Sequence, residues 1–88
     1  MQETIILGIL VYDRIKEAGR TQSVLSKYAK VIRSRLGFHE LSENICSRVG
    51  TIVLILQGDQ MMRSQLEEEL SLIGGIEVQK MSFDHQYK

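Results

Sequence analysis

The chain has 88 residues, with 43% hydrophobic and 25% charged positions, the composition of one ordinary globular domain with no room for a second core. Eleven basic and eleven acidic residues cancel, so no general field draws the chain to nucleic acid or to an anionic membrane surface. The one cysteine, Cys46, allows no disulfide within the chain and fits a reducing cytoplasm.

The first element is the run Thr4–Tyr12, apolar at odd and even positions alike. Side chains alternate faces along a strand, so Ile5, Leu7, Ile9 and Val11 line one face, with Ile6, Gly8, Leu10 and Tyr12 on the other. A strand apolar on both faces belongs at the centre of a sheet covered on both sides. The run is much shorter than the ~20 residues of a membrane span. It is flanked by Gln2 and Glu3 rather than by the basic residues of a signal peptide.

Asp13 has the side chain of a helix N-cap, and Ile15, Ala18, Val24, Leu25 and Tyr28 follow at helical spacing. Gly19 interrupts that pattern and is expected to delay or kink the helix. Near Lys30 the period shortens to two: Val31, Arg33 and Arg35 alternate with Ile32, Ser34 and Leu36, as in a strand with one wet face. Gly37–Asn44 reads as a turn or hairpin tip. A third strand follows over about Ile45 to Gln57, again apolar on both faces around Thr51–Leu56.

Asp59 is a second N-cap, and Met62, Leu66, Leu70 and Ile73 form one stripe on a helix that Gly74-Gly75 ends as a C-cap. Met61-Met62 and Glu67–Glu69 fit an amphipathic helix whose glutamates face water. The last strand sets Ile76, Val78 and Lys80 against Glu77, Gln79 and Met81, before a polar tail from Asp84.

The order strand-helix-strand-strand-helix-strand predicts a single ferredoxin-like α+β domain over residues 1–88, a four-stranded antiparallel sheet with two helices on one face. The first and third strands are central in that topology, and they are the two apolar runs. The second and fourth are edges, charged at Arg33, Arg35, Glu77 and Lys80. Two helices cover only one face, so a second copy of the chain is expected on the other, as homodimer or homotetramer. Ile6, Gly8, Leu10 and Tyr12 are the expected contacts, with Gly8 admitting a close backbone approach.

This order of elements, with Tyr28–Gly37, Gly50–Asp59 and the finish Gly74–Val78, resembles the iron-only hydrogenase system regulators over nearly the whole chain. That family's fold is related to ACT domains and to the C-terminal domain of nickel-responsive repressors. The resemblance implies a ligand-sensing or assembly module that oligomerises through its sheet. No DNA-binding unit is recognisable, so regulation of transcription would need a separate DNA-binding or effector partner. The nickel repressors place a His-x-His pair on the second strand, where this chain has Arg33 and Arg35. His39 and Cys46 alone fall short of the three or four ligands of a closed site, and His85 lies in the tail, so no metal or other cofactor is expected. ACT-like domains also commonly hold effectors at a glycine after the first strand; here the junction is Tyr12-Asp13-Arg14, and Asp13 reads as a cap.

Arg33, Arg35 and Arg48 are the candidate ligand site. A hairpin sets Arg48 near the other two, and converging guanidinium groups suit a small carboxylate or phosphate. Their alternative reading is a solvated edge that discourages pairing with other sheets. No acid, base and nucleophile cluster, so the chain reads as a non-enzymatic regulatory or small-ligand-binding oligomer. The competing reading is an oligomerising adaptor with no ligand of its own.

Overall fold

The computed structural model describes the backbone of residues 3–41 and 46–84; the side chains of residues 14–15, 38–41 and 46–48 fall outside that description. In chain order the elements are β1 (Glu3–Val11), α1 (Arg14–Lys27), a 3-10 turn (Ala29–Val31), β2 (Ile32–Leu41), β3 (Cys46–Leu56), α2 (Gln60–Ser71) and β4 (Ile76–Asp84). The strands lie in the order β2-β3-β1-β4, every neighbour antiparallel. This is the ferredoxin-like α+β arrangement, with the two apolar runs at the centre. No helix among the described residues is long and apolar enough to cross a membrane.

Local chemistry sets the boundaries. Asp13 Oδ1 accepts from the Lys16 backbone N–H at 3.2 Å, and Asp59 Oδ1 from that of Met61 at 2.9 Å, so both caps act as the residue types require. Gly75 takes φ +83°, a conformation that favours glycine, and its carbonyl accepts from the Tyr12 backbone N–H at 2.9 Å. That bond ties the end of β1 to the turn that starts β4. Gly19 neither delays nor kinks α1, which runs unbroken from Arg14 to Lys27; its position is exposed and the flanking cap and apolar contacts hold the helix through it. β4 is not a short strand before a tail, since it pairs with β1 as far as Glu3–Asp84. The tail beyond Asp84 and the hairpin tip at residues 42–45 lie outside the described residues.

The register separates two faces. Ile5, Leu7, Ile9 and Val11 of β1 stand beside Leu56, Leu54, Ile52 and Gly50 of β3, and this side packs on the helices. Leu25, Tyr28, Leu66, Leu70 and Ile73 close the same core, so both helices lie on one face, as expected. The glutamates of α2 depart from the expectation of a wet face. Glu67 pairs with Lys80 of β4 at 3.1 Å, and Glu69 is engaged by Lys27 and Tyr28 of α1 and its C-terminal turn; only Glu68 is simply exposed. Elements far apart in sequence bring these partners to the helix, so no local pattern announces them.

Candidate functional site

Among the described residues no helix lies on the opposite sheet face. Three rows cross it: Met81-Ile6-Ile55-Ser34, Gln79-Gly8-Val53-Leu36 and Glu77-Leu10-Thr51-Phe38. Leu36 is 62% exposed and Met81 55%, and the Phe83 ring, opposite Thr4, adds a further exposed apolar group at the β4 end. Glu77 is the only charged residue in the three rows, and no lysine or arginine stands among them.

Three of the four expected contact residues, Ile6, Gly8 and Leu10, lie on this bare face and are half-buried by their neighbours. Tyr12 follows directly after β1 and is 50% exposed. Its hydroxyl donates to Glu77 Oε1 at 2.7 Å, and Gln79 Nε2 donates to Glu77 Oε2 at 3.0 Å. The tyrosine bond, with help from Gln79, lowers the Glu77 carboxyl below its ordinary value, and the same bond raises the Tyr12 phenol. Beside this polar rim a hollow of about 210 Å³ opens over Gly8, lined by Leu10, Thr51, Glu77 and Gln79. It exists because Gly8 has no side chain: a Cβ built there meets nothing within 4 Å.

A second cleft, of about 540 Å³, opens on the helix side between the end of α1 and the outer surface of α2. Lys27 Nζ donates to Glu69 Oε2 at 3.0 Å, the Tyr28 hydroxyl donates to the same oxygen, and the ammonium lies 5.5 Å from the centre of the Tyr28 ring. The Tyr28 bond first, then that from Lys27, lowers the Glu69 carboxyl; hydrogen bonding to Glu69 raises both Tyr28 and Lys27. Sequence reading missed this group because 41 and 42 residues separate the partners. The Tyr12–Glu77 pair is hidden for the same reason: the register Leu10↔Glu77 sets Tyr12 diagonal to Glu77 across the β1–β4 pair.

The arginines are placed differently from the strand pattern. Ile32 pairs with Leu56 but Ser34 with Ile55, so Arg33 is the extra residue of a bulge and has no direct partner on β3. The bulge breaks the alternation that would set Arg33 and Arg35 on one face. Arg35 stands opposite Leu54, on the helix side, where its Nη1 donates to Gln22 Oε1 of α1 at 3.1 Å. The side chains of Arg48, His39 and Cys46 lie outside the described residues, as does His85. Among the described residues no three His, Cys, Asp or Glu side chains group to hold a metal ion.

No family model and no curated protein matches the chain. Among solved structures, an uncharacterized protein from Thermotoga maritima is 25% identical, aligned over 96% of this chain and all of its own, with a TM-score of 0.79. The C-terminal domain of the MgtC protein from Mycobacterium tuberculosis is 15% identical over 99% of this chain and 93% of that one, TM-score 0.61. A nitrogen regulatory PII-like protein from Thiomonas intermedia is 12% identical over 92% and 89%, TM-score 0.58; it has also been solved with ADP, AMP and acetate bound. At those identities the last two establish the shared fold. The fold and the bare face together define a ferredoxin-like α+β domain with an unpartnered apolar sheet surface.

Proposed function

We propose that the chain is a non-enzymatic regulatory domain that works as a homo-oligomer, pairing through the bare sheet face and taking a small anionic ligand at the arginine-bearing edge. The single observation behind the first half is the face itself. Ile6, Leu10, Val53, Ile55, Leu36 and Met81 make one patch across four strands spaced ~4.8 Å apart. A contiguous exposed apolar patch of this kind, rimmed by polar residues, marks an interaction surface. A second copy offers an equally uncharged surface of the same shape, which is the isologous pairing of most homodimers.

The second half is supported by Arg35, which spends one of its donors on Gln22 and keeps the rest of its planar fork for a carboxylate or phosphate. The PII-like protein that shares this fold binds ADP, AMP and acetate, ligands of that charge. A regulatory rather than catalytic role is supported by five titratable groups in and beside the two hollows. Glu69 and Glu77 are held below their ordinary values and Tyr12, Tyr28 and Lys27 above theirs. General acid–base work needs values near the operating pH, and all five move away from neutrality. Service to an iron-only hydrogenase system rests on the resemblance of Tyr28–Gly37, Gly50–Asp59 and Gly74–Val78 alone.

Native mass spectrometry of freshly purified protein tests the reading. The expected spectrum shows dimers or tetramers carrying a small anion that Arg35→Gln removes without changing the subunit number. An oligomer with no adduct, and no shift in melting temperature with acetate or adenine nucleotides, would favour the adaptor reading, with a dry, fully packed boundary.

A further inference from the structure

We propose that the second copy sits on β1, β3 and β2, related by a two-fold axis that runs along β3 between the sheets, so that Leu36 of each copy fills the hollow over Gly8 of the other. The inference rests on the self-association proposed above and names the side chains that mate.

A rotation about an axis parallel to the strands keeps each residue at its own level and exchanges the strands on either side of that axis. With the axis over β3, β1 of one copy faces β2 of the other. Gly8, Val53 and Leu36 share one level, so Val53 meets Val53 and Leu36 meets Gly8. Among the described side chains of the three rows Leu36 is the most exposed apolar one, at 62%, and the hollow has about 210 Å³ of room. On the level of Ile6 the same operation sets Ile55 on Ile55 and Ile6 over Ser34.

Charge selects this axis over its competitors. Stacking all four strands, with the axis over β1 and β3 together or across the strands, would bury Glu77 against a face that has no lysine or arginine in its three rows. A desolvated carboxylate without a cation is costly. The axis along β3 sets no strand of the partner over β4, whose Glu77 and Gln79 form the outer wall of the hollow that Leu36 enters. Glu77 then stays at the wet rim, bonded to Tyr12 and Gln79, and only uncharged residues of β1, β3 and β2 meet in the three rows. Aligned sheets pack this way ~10 Å apart, with glycine opposite a large side chain keeping the spacing even.

The test exchanges knob and hole. Dimer dissociation constants are measured by sedimentation for the wild type, Gly8→Leu, Leu36→Ala and the double variant. Each single change alters both symmetry-related contacts and is expected to weaken the dimer roughly tenfold or more; the double variant, with knob and hole reversed, is expected to return to within about threefold of wild type. A photoreactive benzophenone placed at position 36 is expected to crosslink the copies, mapped to the peptide around Gly8. This second readout holds even where Gly8→Leu fails to fold. Losses that simply add in the double variant, or crosslinks that map to β4, would overturn the register while leaving self-association standing. A small molecule that is lost in Gly8→Leu with the dimer constant unchanged would overturn it as well. A monomeric wild type would overturn both this register and the self-association beneath it.

Discussion

Thr21 is 1% exposed, and its hydroxyl has no hydrogen-bond partner among the described residues. An unsatisfied buried hydroxyl costs stability that an apolar group of the same shape does not. Thr21→Val is therefore expected to raise stability by about 1 kcal/mol, read as a higher urea midpoint with the slope unchanged. Arg63 shows the opposite situation. It is 6% exposed on α2, yet its Nε donates to the Gly58 carbonyl at 3.2 Å and its Nη1 meets Glu3 Oε1 at 3.2 Å. Neither the burial of Arg63 nor that of Glu17 was legible, because a charged residue in an amphipathic stripe reads as a wet one. Glu69 carries the pH dependence of the helix side. Its folded carboxyl lies below the ordinary value of 4.5 through hydrogen bonds from Tyr28 and Lys27. Its contribution is thus complete above that value and is lost as the pH falls from about 4.5 through the lowered folded value. In Glu69→Gln the drop in melting temperature between neutral pH and pH ~3 is expected to be smaller than in wild type. An unchanged drop would mean that the Tyr28–Glu69–Lys27 group contributes nothing to it.

At the scale of elements, the apolar runs and the two aspartate caps were enough to order the strands and to set β1 and β3 at the centre. The alternation in β1 also separated its two faces correctly, down to Ile6, Gly8 and Leu10 on the bare side. Three features escaped. The 3-10 turn takes Val31 out of the strand that its alternation assigned it to. The bulge at Arg33 depends on pairing with β3, which one strand's pattern does not contain, and it interrupts the alternation that put the arginines on one face. Gly19 breaks the apolar pattern, but propensity is a weak prior against capping and packing. The position is exposed in mid-helix, and a Cβ there meets nothing within 4 Å. Gly19→Ala is expected to stabilise the fold by roughly 0.5–1 kcal/mol. Gly75→Ala is expected to destabilise it by at least about 1 kcal/mol, since φ is +83° and the added carbon would stand 3.3 Å from Glu17 Oε2. Thermal melts of the two variants should move in opposite directions.

For the whole molecule, the scarcity of charge on one sheet face, where Glu77 alone is charged in the three rows, matters more than the balance of charge over the chain. The helix-side face is closed by the chain's own leucines; the other is equally aliphatic at its centre, and no described element covers it. Leu10→Glu places a carboxylate in that patch and is expected to give monomers or insoluble protein. Arg33→Glu, at the bulged edge, is expected to leave the assembly state unchanged. Both outcomes are read by size-exclusion chromatography with light scattering. Most direct of all is sedimentation equilibrium of the unmodified protein at micromolar concentration. Self-association through the bare face predicts a mass of at least twice the 10.1 kDa of one chain. A monodisperse species of 10.1 kDa would contradict it.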